Sequence, residues 1–252
     1  MIEQGLIDTH AHMCDSVFDS DLPEVLERAR ACGVSAILCV SETLSEAERN
    51  VELGRRYPML LPAAGLAPSM ADRTQADRVS SFIRREQSML RAIGEVGLDF
   101  WMAKEEHARD LQREVFQLFI DLAVELDLPL NVHSRSAGRK VIDLLIRRGA
   151  KRVQLHAFDG KASSALPAVE AGYFFSIPPS VVRSIQKQKL VRSLPLERLL
   201  VETDSPVLGP TRGVRNEPAN VIVSLDTLAT IKSVRKEEVI EAVTRNARML
   251  YK

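Results

Sequence analysis

Residues 6–15 read LIDTHAHMCD, a short apolar start followed at once by two histidines, His10 and His12. Side chains two residues apart in a strand point to the same side, so both imidazoles would face one direction. Such a pair can bind a metal, but a strand end with two solvated histidines fits the same letters. The fold is decided by whether the chain repeats this pattern of an apolar run that ends in polar side chains.

Short apolar runs of this kind occur eight times along the chain, separated by longer amphipathic segments. Strands that alternate with helices form parallel βαβ units, and nearly continuous apolar strands are typical of a sheet covered on both faces. The runs are LID (6–8), AILCV (36–40), LLPAAGLA (60–67), AIGEVGLD (92–99), LPLNVH (128–133), VQLHAF (153–158), YFFSI (173–177) and LLVETD (199–204).

The helical patterns and the chain length favour one closed barrel. Clear helical periodicity spans 22–33, 108–128, 136–150 with Ser136 as its N-cap, and 236–251. The 252 residues match the length of about 250 that is usual for this architecture. We predict an α/β protein with one domain over residues 1–252, a single (β/α)8 TIM-like barrel with a C-terminal helix. A doubly wound open sheet is the alternative, although no GxGxxG motif follows the first run.

Composition limits the partners. The 34 basic and 34 acidic residues cancel, so no strongly basic surface for a polyanion is expected. Three cysteines without a CxxC pair favour reduced thiols in a cytoplasmic protein. We find neither a signal-peptide pattern nor an apolar run of membrane length, so we expect no membrane partner. Because no exposed apolar stripe stands out, we expect a monomer.

Ionisable side chains lie at or near the ends of five of the eight runs. In a TIM barrel, the catalytic groups gather at the C-terminal ends of the strands. Each side chain alone could be a hydrogen-bonded or salt-bridged structural residue. Together they indicate a metal centre, because buried ionisable groups are costly unless they are paired or bind metal. The six residues are His10, His12, Glu95, His133, His156 and Asp204.

Six imidazole and carboxylate ligands exceed what one tetrahedral site needs. Two divalent ions that share a carboxylate are the natural division, with Mg, Mn, Zn or Ni as candidates. Such ions lower the pKa of bound water from about 16 toward about 7, which favours hydrolysis at neutral pH. Cys14 could add a soft ligand, but a small packed side chain is the simpler interpretation.

Five blocks in this order and spacing resemble the TatD family of metal-dependent deoxyribonucleases, which belongs to the amidohydrolase-like metal-dependent hydrolase superfamily. They are HxH (10–12), GEVGLD (94–99), VHSR (132–135), HAFDG (156–160) and ETDSP (202–206). Three further stretches are similar to the TatD DNase domain-containing branch of animals: NVHSRSAGR (131–139), GYFFSIPPS (172–180) and VRNEPAN (214–220).

The resemblance implies a two-metal 3′–5′ exonuclease that acts on DNA, and it implies a role for each residue. Asp204 would orient or deprotonate the attacking water as the general base, so that Asp204 and Glu95 are the catalytic carboxylates. The implied ligands are His10, His12 and Asp204 for the first ion, His133 and His156 for the second, and Glu95 as the bridge between them.

One departure concerns the residues that follow the implied bridge. Many TatD proteins carry GLDYY, whereas this chain has GLDFW at 97–101, so any role of a tyrosine hydroxyl is lost. Phe100 and Trp101 either stack on a nucleobase or pack under the loop. His107, beside two glutamates at the start of the longest helix, is predicted to be a surface residue.

A phosphodiester requires positive charge where negative charge develops, and two dications would supply much of it. Arginines follow the relevant strands as well, and Arg135, two residues after His133, is our first candidate for a substrate phosphate contact. Few phosphate contacts predict weak, salt-sensitive and sequence-independent DNA binding. The other candidates are Arg183, Arg212 and Arg215.

Two other functions stay open at this point. A hydrolase of the same architecture could act on a small amide, lactone or phosphate ester, although a glutamate bridge and arginines at the rim favour a phosphodiester. A non-catalytic protein could retain the metal for stability or partner binding. The complete set of six ligands argues against that third possibility.

Overall fold

The computed structural model describes residues 5–251, and in this part of the chain eight strands form one parallel sheet. The strands are hydrogen-bonded in the order in which they occur along the chain. Residues 1–4 and 252 of the predicted domain lie outside the described residues. The strands are β1 (Leu6–Ala11), β2 (Val34–Cys39), β3 (Leu60–Ala64), β4 (Ala92–Gly97), β5 (Leu130–His133), β6 (Val153–Leu155), β7 (Phe174–Ile177) and β8 (Leu199–Val201).

Nine α-helices occur within residues 5–251, and α9 is the predicted C-terminal helix. No helix in this range combines the length and the hydropathy that a bilayer crossing requires. The helices are α1 (Leu22–Ala31), α2 (Leu44–Arg56), α3 (Arg73–Glu86), α4 (Glu106–Leu126), α5 (Gly138–Arg147), α6 (Ala162–Glu170), α7 (Ile185–Ser193), α8 (Val221–Lys232) and α9 (Lys236–Leu250).

Helix starts follow from local side-chain chemistry at some positions and not at others. Thr43 caps α2 by accepting a hydrogen bond from the backbone N–H of Glu46 at 3.3 Å, as an N-cap threonine should. The prediction that Ser136 caps α5 is wrong, because the helix begins at Gly138. Ser136 instead adopts a left-handed φ of 55°, and its backbone N–H donates to the carboxylate of Asp159.

The sheet closes into a barrel through bonds between the segment after β8 and the end of β1. The backbone N–H of Asp204 donates to the carbonyl of His10 at 2.8 Å, and the N–H of His12 donates to the carbonyl of Ser205 at 2.8 Å. Inside, Thr9 donates its hydroxyl to the carbonyl of Val201 at 2.9 Å. The TIM-like barrel is therefore confirmed, and the open doubly wound sheet is wrong.

The apolar core has two parts. One large cluster joins the buried faces of the helices to the strands. A smaller cluster joins residues of six strands to the last turn of α9 and to Tyr251 after it. Ile7 and Phe174, near the starts of β1 and β7, belong to it with Leu250 and Tyr251, so the end of α9 packs at the end of the barrel opposite the polar side chains.

Two strands carry irregularities beside the predicted ligands. Over residues 8–11, β1 uses one residue more than its neighbour β2, and β4 does the same relative to β5 over residues 93–96. Bulges of this kind redirect side chains and are common beside active sites. They lie at His10 and Glu95, so the simple two-residue alternation of a strand does not fix where these side chains point.

Gly97, at the end of β4, is predicted to tolerate no side chain. Its φ is +147°, and a Cβ atom would lie 2.0 Å from the carbonyl oxygen of His133. We expect Gly97→Ala to lower the free energy of unfolding by about 3 kcal/mol or more, measured by urea denaturation. Gly149→Ala is the matched control: its φ is +72°, nothing lies within 4 Å of the added carbon, and about 1 kcal/mol should be lost. Equal losses in the two variants would contradict the steric argument.

Candidate metal centre

All six predicted ligands meet at the C-terminal end of the barrel. His10 and His12 come from the end of β1, and Glu95 comes from the irregular part of β4. His133 is the last residue of β5, and His156 and Asp204 follow β6 and β8. Five of the six line a central cavity of about 390 Å³, and His10 lies fully buried beneath it. The six residues are His10, His12, Glu95, His133, His156 and Asp204.

Four of these side chains form a first donor set, His10, His12, Glu95 and Asp204. The Nε2 atoms of the two histidines lie 3.3 Å apart. The distances from His10 Nε2 and His12 Nε2 to Asp204 Oδ1 are 3.3 and 3.5 Å, and those to Glu95 Oε2 are 3.6 and 3.4 Å. A tetrahedral site with metal–ligand bonds of about 2.0–2.2 Å has ligand–ligand edges of about 3.3–3.6 Å. These distances match five of the six edges of such a site; His10, His12 and Glu95 form a three-donor group able to hold a divalent ion, and Asp204 Oδ1 lies within 3.5 Å of both histidines.

The other carboxylate oxygen of Glu95 belongs to a second donor set, Glu95, His133 and His156. Glu95 Oε1 lies 2.5 Å from His133 Nδ1 and 3.3 Å from His156 Nε2, and the two imidazole nitrogens are 3.2 Å apart. Three convergent donors of these types can hold a second ion with coordination positions left open. Glu95 is the residue common to both sets, with one oxygen in each.

The outer ring nitrogens of two histidines have partners that orient the imidazoles. His10 Nδ1 lies 2.7 Å from Asn131 Oδ1, and His133 Nε2 lies 3.1 Å from Asp99 Oδ2. In both pairs the oxygen accepts an N–H, so the lone pair of the other ring nitrogen is left for a metal. The remaining oxygen of Asp99 accepts the backbone N–H groups of Trp101 and Met102.

His156 differs from the other two because its Nδ1 is buried and has no hydrogen-bond partner. The acid that faces this nitrogen is Glu202, whose Oε2 lies 3.8 Å from Nδ1. The carboxylate of Glu202 is occupied by the hydroxyl of Ser176 at 2.5 Å and by the backbone N–H of Ala157 at 2.8 Å. A third possible donor group, made of His10, His156 and Glu202, thus shares its two histidines with the other sets.

The charges of the side chains compensate one another. Burial alone would raise the pKa of Glu95, but electrostatic interactions with the imidazoles of His156 and His133 and hydrogen bonds from His12 and His133 lower it well below its usual value. Burial alone would lower the pKa of His133, whereas the charge of Glu95 and the hydrogen bond to Asp99 raise the pKa to about 10. Because metal ligands must be deprotonated imidazoles, metal binding at this cluster releases protons and weakens at low pH.

Asp204 is held by a strained backbone and a buried hydrogen-bond network. Its φ is +56°, which is uncommon for a residue with a side chain. The preceding residue, Thr203, donates its backbone N–H at 2.8 Å and its hydroxyl at 2.5 Å to the carboxylate of Asp8. Burial raises the pKa of Asp8 to about 7. This network fixes the segment that presents Asp204 to the first donor set.

Two cationic side chains line the same cavity. Arg135, as predicted from the sequence, lies there with its guanidinium carbon 3.8 Å from the centroid of the Trp101 ring. Lys187, on α7, was not predicted, and its Nζ donates to the carbonyl of Ala157 at 2.7 Å. Arg183 and Arg215 are engaged elsewhere, with the carbonyl of Gly209 and with Asp21.

The remaining predicted residues take unremarkable places. Cys14 is buried against the carbonyl of Val40 and is not part of either donor set, so the packed interpretation is confirmed. His107 is exposed on α4, as predicted. Phe100 packs against the core, with Arg109 and Arg113 over its ring. Trp101 is 50% exposed beside Arg135, which lines the cavity. Phe100 therefore packs inward, whereas Trp101 faces solvent.

Sequence reasoning missed five residues of this centre, and four of them carried a detectable signal. Asp8, Asp99, Asn131 and Glu202 are polar residues inside apolar runs that also supply ligands, within four positions of a ligand. Lys187 lies in an ordinary amphipathic helix, so nothing in the sequence separates it from a surface lysine. A larger groove of about 850 Å³, lined by the start of β1, the turn after α1, α8 and α9, contains none of the six ligand candidates.

The comparison with known proteins identifies the family of this chain. The TatD-related DNase family matches residues 7–252, nearly the whole chain. The chain belongs to this family. The resemblance inferred from the five sequence blocks is thereby confirmed, and membership makes the protein a metal-dependent hydrolase.

Individual relatives agree with the family assignment over nearly their full lengths. Deoxyribonuclease TATDN3 of Homo sapiens is 46% identical, over 98% of this chain and 94% of the human protein. The metal-dependent hydrolase YabD of Bacillus subtilis is 35% identical, over 98% of this chain and 99% of the relative. The crystal structure of YjjV, a TatD homologue from Escherichia coli, superimposes with a TM-score of 0.90 at 26% identity, over 98% and 97% of the two chains.

Metal addition is expected to stabilise the chelator-treated protein, because the donor sets are assembled only in the folded state. At 100 times its dissociation constant, one ion should contribute about 2.7 kcal/mol, which raises Tm by roughly 5–10 °C. We expect His10→Ala/His12→Ala to lose most of this rise, measured by thermal denaturation with and without Zn²⁺ or Mn²⁺. The control His107→Ala removes an exposed histidine and should keep the rise; an equal rise in all three proteins would contradict the assignment.

Proposed function

We propose that the protein is a two-metal 3′–5′ deoxyribonuclease, and the observation that carries the proposal is the position of Glu95. Its two carboxylate oxygens face two separate donor sets, as expected of a bridging ligand. Two ions held in this way stabilise the attacking and leaving oxygens of a phosphodiester displacement. Mg, Mn, Zn or Ni are compatible with imidazole and carboxylate ligands to different degrees.

The proposed roles follow from where each side chain lies. Bound divalent ions would neutralise the phosphate oxygens and acidify the attacking water. Asp204 Oδ1 lies within the first donor set, where it orients that water and accepts its proton. His10 and His12 complete the first set, and His133 and His156 complete the second with Glu95.

Arg135 is the proposed contact for a substrate phosphate, with Lys187 as the second cation of the cavity. The guanidinium of Arg135 stacks on Trp101, which limits its rotation and leaves its N–H groups to face a phosphate. Burial lowers the pKa of Lys187, whereas Glu202 and Asp204 favour its charged form. These two residues place positive charge at the reaction site although the net charge of the chain is zero.

The surface around the cavity is suited to bases as well as phosphates. Eight of the twelve most exposed large apolar side chains within residues 5–251 lie in segments that follow the strand ends. Trp101 is the aromatic residue among them, and aromatic rings stack on bases without reading their sequence; the relative TATDN3 is named a deoxyribonuclease. We therefore infer weak, sequence-independent binding of DNA by its 3′ end. The eight residues are Val17, Met70, Trp101, Met102, Val182, Ile185, Val207 and Val214.

We propose that the active unit is a monomer built from one domain over residues 1–252. Both donor sets and both cavity cations come from a single chain, so no second copy is needed to complete the site. The cytoplasmic location stays a prediction, supported by three cysteines that form no disulfide.

Hydrolysis of a small amide, lactone or phosphate ester is the second candidate. The donor sets would serve it equally well, but the cavity cations Arg135 and Lys187 favour an anionic phosphate over a neutral amide or lactone. A protein that binds metal without turnover is the third. Metal binding without cleavage of any ester would support that possibility.

The nuclease proposal predicts that single-stranded DNA labelled at its 5′ end is shortened stepwise from its 3′ end. Activity should require a divalent ion and return when Mg²⁺, Mn²⁺, Co²⁺ or Zn²⁺ is added to chelator-treated protein. We expect Glu95→Ala/His133→Ala to reduce the rate more than about 100-fold, because two ligands are lost, one of them the shared bridge. His107→Ala should cleave like the unaltered protein. Absence of cleavage with every ion would refute the nuclease proposal and direct the same protein to the panel of small esters.

Arg135→Ala is expected to weaken substrate binding. A hydrogen bond to a charged group contributes about 1.5–3 kcal/mol, so KM for the oligonucleotide should rise roughly 10–100-fold. Trp101 is the only tryptophan in the chain, so its fluorescence should report binding by the inactive Glu95→Ala/His133→Ala protein. Arg212→Ala removes the same charge from an exposed position that does not line the cavity, and serves as control. Equal KM values for the two arginine variants would contradict the proposed contact between Arg135 and a substrate phosphate.

A further inference from the structure

A buried amide lies directly beneath the first donor set. Asn131, in the middle of β5, is fully buried and points into the barrel. Its Oδ1 lies 2.7 Å from His10 Nδ1, and its Nδ2 lies 2.9 Å from the carbonyl of Thr9 and 3.3 Å from the hydroxyl of Tyr251. Every polar atom of this side chain therefore has a partner.

These partners fix which way the amide points. The carbonyl of Thr9 can only accept a hydrogen bond, so it requires the NH2 group of Asn131 on its side. The amide oxygen must then face His10, and it can only accept. His10 Nδ1 consequently carries the proton, and the lone pair of its ring lies on Nε2, which points toward His12, Glu95 and Asp204.

The hydroxyl of Tyr251 supports this arrangement from the closed end of the barrel. Tyr251 donates to Oε1 of Gln154 at 2.6 Å and accepts from Asn131. The orientation of Gln154 is fixed in turn, because its Nε2 donates to the carbonyl of Thr9 at 3.1 Å and to Ser176 at 2.8 Å. A tyrosine just after α9 is thus connected to a metal-ligand candidate through one amide.

We propose that Asn131, supported by the hydroxyl of Tyr251, is a positioning residue that fixes the tautomer and ring plane of His10 for metal binding. The inference rests on the proposed role of His10 as a ligand of the first ion. His133, in the second donor set, receives its orientation from Asp99 instead. Loss of Asn131 should therefore weaken the first ion and spare the second.

The test is a Zn²⁺ titration of the chelator-treated full-length chain against a chromogenic chelator, which measures the number and affinity of bound ions without substrate. We expect the unaltered protein to bind two ions. Asn131→Leu should lower the affinity for one of them by about 10–100-fold, the usual effect of losing the hydrogen-bond partner of a ligand histidine. Tyr251→Phe should give a smaller loss at the same ion.

Tyr173→Phe is the matched control. Tyr173 is as deeply buried as Tyr251, and its hydroxyl donates to the carbonyl of Ala150 at 2.9 Å, away from the donor sets. Its loss should lower Tm without changing either zinc affinity. If Asn131→Leu does not fold, the comparison of Tyr251→Phe with Tyr173→Phe still tests the inference, since each variant removes a single hydroxyl.

The outcomes separate this inference from the proposed function. If the unaltered protein binds two ions and both Asn131→Leu and Tyr251→Phe bind them equally well, the positioning role is refuted while the two-metal site stands. A change in Tyr251→Phe no larger than in Tyr173→Phe would refute the support by Tyr251. If the unaltered protein binds no zinc, the two-metal proposal itself fails.

Discussion

The structure depends on the burial of one carboxylate, Glu95, among four imidazoles. An isolated carboxylate in this position would be strongly unfavourable, and so would each charged histidine. Here the groups compensate one another, since the imidazoles lower the pKa of Glu95 while Glu95 raises that of His133. Such compensation requires side chains in or directly after four strands, β1, β4, β5 and β6, to meet within a few ångströms. A closed parallel barrel provides this convergence, because all its strands end on the same side.

Barrel closure and the metal centre are built from the same residues. The bonds that join the segment after β8 to β1 run from Asp204 to His10 and from His12 to Ser205. Three of these four residues also supply the first donor set. An ion that binds this set therefore connects the first and last strands in addition to the backbone bonds. The left-handed φ of Asp204 is tolerated because these contacts and the Asp8–Thr203 network hold the segment in place.

The sequence was sufficient to predict what depends on local pattern. Eight apolar runs predicted eight strands, and the residues at their ends predicted the histidines and carboxylates that converge. It was insufficient where the determining contact is distant: His10 and Asn131 are 121 positions apart, so their hydrogen bond has no local signature. Ser136 shows the same limit, because the carboxylate of Asp159 keeps its backbone outside α5. The irregular stretches of β1 and β4 interrupt the two-residue alternation of side chains just where His10 and Glu95 lie. The alternation therefore could not predict which way these two side chains point.

The two donor sets are not equivalent, and their difference bears on where substrate binds. The first has four protein donors, and the five nitrogen–nitrogen and nitrogen–oxygen distances among them are those of a tetrahedral site. The second has three protein donors, which leaves more coordination positions open for other ligands. In the proposed nuclease, a phosphate oxygen of the substrate would therefore take an open position of the second set, while Arg135 and Lys187 line the cavity that both sets face. Asp204, which belongs to the first set alone, would then not compete with that phosphate for the same ion. Division of the six ligands into four and three around one shared carboxylate would thus separate the proposed proton acceptor from the proposed substrate position.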